Sequence, residues 1–235
     1  MAPSMQHLRR SSLRTLLFLL LAPVVTTAIA QQTTLYDPQP PANSAYVRVI
    51  VGSGSSDVDV WVNNRPRLTK IPLSTPSAYM VLPAGEHELS LRAGGQEVRV
   101  KVKAESSRSL TVLATSLDKG SKPNVIEDKI NSNRLKAIIS AYNLSPKQTV
   151  DVWTADGQTQ VFNAVSPGAS ASLVVNPIAL AYKVTAPGDK AGSLVTGQLT
   201  MTPGGAYTVL VTTDKSGALQ TLAHTNVIEK YQAKP

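Results

Sequence analysis

The chain has 235 residues, 23 lysines and arginines against 15 aspartates and glutamates, a formal charge of +8 and no cysteine. That length holds one large domain or two ordinary ones of about 100 to 150 residues each. The lack of cysteine excludes disulfide staples and a lipid carried on an N-terminal cysteine. The charges alternate in sign instead of forming the basic, aromatic-interleaved runs of a nucleic-acid binder, so no nucleic-acid partner is expected.

At the N-terminus, His7, Arg9, Arg10 and Arg14 precede the apolar run LLFLLLAPVV, and Ala28 and Ala30 place small residues where a signal peptidase reads. Residues 1–30 therefore read as a cleaved signal peptide, with Gln31 as the first mature residue. An uncleaved anchor would need about 20 apolar residues. This run is shorter, contains Pro23 and ends in QQTT, so no membrane insertion is expected once the signal is removed. The mature chain keeps 20 basic and 15 acidic side chains, a mild formal +5. It enters an oxidising compartment without disulfides, so its stability must come from packed cores. Residues 31–43 form a proline-rich arm that can hardly join a central strand.

Residues 44–127 read as a first β-sandwich. In DVDVWV (57–62), Val58, Val60 and Val62 share one face, leaving Asp57, Asp59 and Trp61 on the other. A D-x-D spacing can hold a divalent cation, but a solvent-facing acidic strand explains the pattern equally and no metal is expected. EHELSLR (86–92) and EVRVKVK (97–103) alternate with period two and are joined by AGGQ, whose glycines suit a tight hairpin. Gly52-Ser53-Gly54 reads as a flexible turn after the first strand.

Residues 128–133 read as a short hinge, and residues 134–231 as a second sandwich opened by TVDVWTADGQTQVFNAV, with Asp156-Gly157 as a hairpin signal. Further turns fall at Pro83-Ala84-Gly85, Ser166-Pro167-Gly168, Ala186-Pro187-Gly188 and Pro203-Gly204-Gly205. No ten-residue segment carries a 3.6-residue apolar period. The expected fold class is all-β, two tandem β-sandwich domains joined by a short linker.

An internal repeat supports the pair. Asp59-Val60-Trp61 recurs as Asp151-Val152-Trp153, Thr111-Val112-Leu113 as Thr208-Val209-Leu210, and Asn124-Val125-Ile126-Glu127 as Asn226-Val227-Ile228-Glu229, at offsets of 92, 97 and 102. Three anchors in one order are what two diverged copies with loop insertions produce.

Catalytic chemistry is not legible. His87 shares a strand face with Leu89 and Leu91, and His224 has no acidic or nucleophilic signature beside it. No zinc spacing, nucleophile elbow or phosphate loop occurs, so no catalytic residue and no cofactor is expected. Trp61 and Trp153 fall on the polar strand face. An exposed indole there can stack on a sugar ring, whereas a covered one only packs against a loop or neighbour, and both readings stand at this point. A secreted polysaccharide-binding module using these tryptophans is thus the alternative function.

The arm and first strand, LYDPQPPANSAYVR, resemble the mature start of the AlgF family of periplasmic alginate O-acetylation accessory proteins, through Leu35, Tyr36, Pro38, Pro41, Ser44, Ala45, Tyr46, Val47 and Arg48. Leu82-Pro83 with Gly85, Asn143-Leu144-Ser145, TADGQTQVFNAVSP and Asn176-Pro177 continue the likeness in order. The resemblance implies a non-catalytic periplasmic adaptor for exopolysaccharide O-acetylation, on alginate or on acetylated cellulose. Its implied partners are a periplasmic O-acetyltransferase, a membrane-bound acyltransferase subunit and the polysaccharide itself. Leu35, Tyr36, Pro38, Pro40 and Pro41 are the expected partner-binding segment, apolar anchors on a chain stiffened by proline.

Overall fold

A computed structural model describes residues 39–192, 194–214 and 216–231. The expected signal peptide and Leu35, Tyr36 and Pro38 of the arm lie outside the described residues. The described residues contain no helix, in keeping with the all-β expectation, and no helix among them is long and apolar enough to cross a membrane.

Sixteen strands follow in order: β1 (Ser44–Ser53), β2 (Val58–Val62), β3 (Arg65–Ile71), β4 (Met80–Pro83), β5 (Gly85–Ala93), β6 (Gln96–Ala104), β7 (Ser109–Ser116) and β8 (Asn124–Glu127) in the first sandwich; β9 (Ala137–Asn143), β10 (Val150–Thr154), β11 (Gln160–Val165), β12 (Ser170–Val175), β13 (Ala179–Thr185), β14 (Val195–Thr200), β15 (Ala206–Thr213) and β16 (Leu219–Thr225) in the second. The first sandwich packs a β4-β1-β7-β8 sheet on a β3-β2-β5-β6 sheet, and the second packs β12-β9-β15-β16 on β11-β10-β13-β14. Every strand of one copy has a counterpart eight elements later in the other, so the tandem repeat holds strand for strand.

Two of the three repeated motifs have a physical reason. In Asp-Val-Trp the valine enters the core of its own sandwich, Val60 in the first and Val152 in the second. The aspartate before it holds a bulge in the neighbouring strand. Asp59 Oδ1 accepts Lys70 N at 2.9 Å and Asp151 Oδ1 accepts Ala164 N at 2.6 Å. Lys70 and Ala164 both sit at positive φ, 54° and 47°, where the extra residue must curl and a fixed acceptor steadies it. Asp59 is thus half-buried and engaged, not one of a bare solvent-facing pair. In Thr-Val-Leu, Val112 and Val209 enter the two cores while Leu113 and Leu210 point the opposite way, into a third apolar cluster.

That third cluster lies between the sandwiches and joins Ile50, Leu113 and Ile126 of the first to Tyr142, Leu144 and Leu210 of the second. It explains why β1, β7, β9 and β15 read as nearly continuous apolar runs. Each is central in its sheet and is covered on one face by its own core and on the other by this seam. β1 pairs with β7, and β9 with β15, in parallel, the arrangement found where both faces of a sheet are buried. Burying Ile50, Leu113, Leu144 and Leu210 contributes roughly 1.5–3 kcal/mol for each side chain.

The seam corrects two expectations, at Gly52 and at Asn226-Val227-Ile228-Glu229, and also takes up Asp128. Gly52 is no flexible turn: it is a buried residue of β1, and a Cβ there would stand 2.7 Å from Thr115 O and 3.1 Å from Leu144 Cβ. Its bare Cα lets the second sandwich close in. Asp128, at the start of the expected hinge, is buried. The quartet Asn226-Val227-Ile228-Glu229 is not the counterpart of β8, because β7 pairs Thr111 with Ile126 whereas β15 pairs Thr208 with His224. It crosses instead to the first sandwich as a strap: Tyr79 N donates to Val227 O at 2.8 Å, Glu229 N to Tyr79 O at 3.0 Å, and Val81 N to Glu229 Oε1 at 2.7 Å.

The hairpin signals have different outcomes. Gly94 and Gly95, with φ of 55° and 80°, close the β5–β6 hairpin as a two-residue turn. Asn63 and Asn64 perform the same task between β2 and β3 at φ of 50° and 62°, without glycine. Asp156-Gly157 sits inside a five-residue loop between β10 and β11.

Because seam and strap hold the sandwiches together independently of the linker, a proteolytic nick among the mostly exposed residues 129–135 should leave both halves bound. They should co-elute on gel filtration in native buffer and separate only in denaturant, and Leu144→Ala, at a cost of about 2–5 kcal/mol, should weaken that association. Free halves under native conditions would contradict the seam.

Candidate functional site

The described end of the arm is fixed to the first sandwich. Pro41 O accepts Ser44 N at 2.9 Å, Ala42 O accepts Ser106 Oγ at 2.9 Å, and Asn43 O accepts Ala84 N at 2.8 Å. Pro40 is half-buried and Pro41 exposed. Whatever the preceding residues do, they leave from one defined place, beside the β4–β5 and β6–β7 turns.

Trp61 and Trp153 lie on different sandwiches, in the two sheets remote from the seam. Both are half-buried. The Arg92 guanidinium lies 4.2 Å from the centroid of the Trp61 ring and is held there by Ser90 Oγ and Glu97 Oε1 at 3.1 and 3.2 Å. One face of that indole is therefore taken by a cation. The Trp153 Nε1 atom is buried without a hydrogen-bond partner. Neither ring is a bare platform, and the fold does not bring the two together.

The histidines are equally separate. Asn63 Nδ2 approaches His87 Nδ1 at 3.0 Å and the Pro83 carbonyl meets Nε2 at 2.9 Å. An amide nitrogen only donates and a carbonyl only accepts, so in this arrangement Nδ1 accepts, Nε2 donates and both nitrogens are engaged. His224 faces the seam with Nε2 buried and without a partner. Burial pulls its imidazole below the ordinary value; a backbone hydrogen bond at Ser74 opposes this and the Arg48 charge adds to it.

The seam holds a buried polar network that no sequence motif announced. Arg48 is 1% exposed. Its Nε donates to Thr111 Oγ1 at 2.9 Å, and its two terminal nitrogens donate to Asn226 Oδ1 at 2.8 Å and Tyr142 OH at 3.0 Å. The guanidinium also lies 4.6 and 5.2 Å from the ring centroids of Tyr79 and Tyr142. Asp128 accepts from Tyr79 OH at 2.8 Å, from Thr111 Oγ1 at 2.7 Å and from Tyr142 OH. The hydroxyls of Thr111 and Tyr142 each take a hydrogen bond from Arg48 and pass one to Asp128, so cation and anion are matched through two relays.

Burial pushes the Tyr142 hydroxyl up to about 12, with the Arg48 charge opposing and the Asp128 charge adding. Burial likewise raises Tyr79, against Arg48. Both hydroxyls therefore stay protonated as donors. Asp128 and Asn226 are counterparts in the repeat: each donates its backbone N–H at 2.8 Å to the first part of the equivalent strand, Ser109 O of β7 and Ala206 O of β15. The readable signal was an arginine inside the alternation YVRVIV, where an exposed strand face would not be flanked by isoleucine.

These observations define a tandem β-sandwich protein whose two copies are fused through a buried, charge-matched seam. The chain belongs to the AlgF family: the family model described as "Alginate O-acetyl transferase AlgF" matches residues 18–208. It is 30% identical over 151 residues to the alginate biosynthesis protein AlgF of Pseudomonas syringae and 31% identical over 151 residues to that of Pseudomonas aeruginosa, each match covering 64% of this chain. The matched region spans 64% and 65% of the length of these two relatives. Among solved structures, the C-terminal domain of AlgF from P. aeruginosa aligns at 25% identity over 39% of this chain and 99% of that domain, with a TM-score of 0.33.

Two outcomes test the seam. Arg48→Met or Asp128→Asn alone should cost about 3–5 kcal/mol in urea unfolding, because each strands a buried polar partner, and the double variant should lose clearly less than the sum. Strict additivity would contradict the relay.

The depressed His224 pKa carries a sign as well. The unfolded imidazole titrates near 6.5, so the folded state binds fewer protons below that pH and stability contributed by the neutral ring is lost as pH falls from 6.5 through the folded pKa. The melting temperature of the native chain should drop more between pH 7.5 and 5.5 than that of His224→Gln. Equal drops would remove His224 from the seam's pH response.

Proposed function

We propose that the chain is a non-catalytic periplasmic adaptor of an exopolysaccharide O-acetylation machinery, acting beside a periplasmic O-acetyltransferase and the membrane-bound acyltransferase that supplies acetyl groups. Family membership and the names of the relatives support alginate as the polymer, with acetylated cellulose the other candidate. The observation that carries the adaptor role is the employment of the polar groups. Acyl transfer needs an activated nucleophile and an oxyanion site. Among the described residues, the buried Arg48, Asp128, Tyr79 and Tyr142 are committed to one another across the seam, His87 has both nitrogens engaged, and no hydroxyl is hydrogen-bonded to a ring nitrogen of His87 or His224.

The docking part of the reading rests on the arm. Leu35 and Tyr36 are its apolar anchors, and the fixed exit at Pro41 lowers the entropy lost when such a segment binds. Deleting the gene should leave the polysaccharide made and exported but without most of its O-acetyl groups. The purified chain should neither transfer acetyl to an oligosaccharide nor hydrolyse an acetyl ester. Full acetylation in the deletion strain would overturn the assignment, and acetyl transfer by the pure protein would make the chain the transferase that the family description names.

A further inference from the structure

The two copies differ at one edge. In the first sandwich the outer edge beside β4 is completed by the chain's own strap, which runs parallel to it at the Tyr79–Ile228 bridge. The registers locate the equivalent edge in the second sandwich. Val47 pairs with both Leu110 and Met80, and Ile139 with both Tyr207 and Leu173. Since Thr111 corresponds to Thr208, Met80 corresponds to Leu173, and Tyr79 to Ser172. No backbone hydrogen bond from the described residues reaches the outer edge of β12.

That edge is also the one left without protection. β12 reads SASLVV and pairs with β9 over six residues without a bulge, charge or proline. Elsewhere the edges are guarded in the usual ways. β6 carries Arg99, Lys101 and Lys103, β3 carries Pro66 and the Lys70 bulge, β11 carries the Ala164 bulge, and β8 is only four residues long. β14 and β16 lie against each other at the opposite rim, as β11 and β12 do more sparsely at this one. Leu173 stands 41% exposed on the unguarded strand. A regular, uncharged, partly apolar edge is a template for strand addition.

We infer that the outer edge of β12 takes an extended, uncharged, β-branched segment of a partner protein as a fifth strand, pairing with Ser172 as the strap pairs with Tyr79. This rests on the adaptor reading and names a second surface for it, besides the arm. The strap shows the chemistry that fits: an extended Val-Ile-Glu run bonded through Val227 O and Glu229 N, whose carboxylate meets Arg67; the second copy has Val161 where the first has Arg67, so an uncharged residue fits there. It also argues against a second copy, because the strap lies parallel to its edge whereas β12 pairing with itself across a twofold axis would be antiparallel.

The test uses the full exported protein in cells, with a photoreactive amino acid at Leu173 and, as control, at Lys101 on β6. Position 173 should cross-link to one contiguous stretch of an acetylation subunit, and position 101 should not. Cross-links to a second copy, to residues 31–38 of the same chain, or to nothing would overturn the inference. Ser172→Pro removes the edge N–H equivalent to that of Tyr79, and Leu173→Lys places a charge on the exposed edge. Each should lower polysaccharide O-acetylation about tenfold, the effect of losing one or two backbone hydrogen bonds. Should Ser172→Pro not fold, Leu173→Lys decides. Acetylation lost on gene deletion but fully restored by both variants sinks the edge alone, while acetylation that survives deletion sinks the adaptor reading with it.

Discussion

The burial of one arginine sets the terms for the rest of the molecule. Taking the Arg48 guanidinium out of water costs several kcal/mol unless its donors and its charge are matched. The match requires Thr111 from β7, Tyr142 from β9, Asn226 from beyond β16 and Asp128 from beyond β8. No single sandwich supplies all of these groups. The network therefore exists only when the two copies are face to face, and it fixes their register more tightly than the apolar cluster around Leu113 and Leu210 would by itself. The strap follows from the same constraint, since holding Asn226 at Arg48 directs the following residues across Tyr79.

With the seam closed, the inner sheets are committed to each other, which leaves the outer faces, the ends and the edges free to bind. The arm departs from one end of the first sandwich at a place held by three hydrogen bonds, and the regular edge of β12 belongs to the second. A protein that holds two such features at fixed separation suits the proposed role of arranging other proteins around a polymer. Rigid spacing saves each of two binding events part of its ordering cost.

Much of this was legible from residues alone. Period-two alternation and the Asp-Val-Trp and Thr-Val-Leu repeats carry the all-β fold and its duplication, because each repeated residue performs a local task that both copies share, as Asp59 and Asp151 do at their bulges. The seam was illegible for the converse reason. Its partners are far apart in sequence and asymmetric between copies: Arg48 has Ser140 as its counterpart, and Asp128 has Asn226. Asn226-Val227-Ile228-Glu229 misled because the same four residues serve as a strand in one copy and as a strap in the other. Gly52 looked like a turn residue because composition does not reveal a backbone approached by a neighbour's Leu144.

Rigidity of the fused pair is the central claim, and a chain without cysteine lends itself to measuring it. Spin labels attached at Lys101→Cys on the first sandwich and Gln198→Cys on the second would report the distance between them by pulsed electron resonance. One narrow distribution, broadened when Arg48→Met is added, is the expected result. A broad or two-peaked distribution in the otherwise native chain would mean that the sandwiches move independently, and that the seam does not organise the molecule.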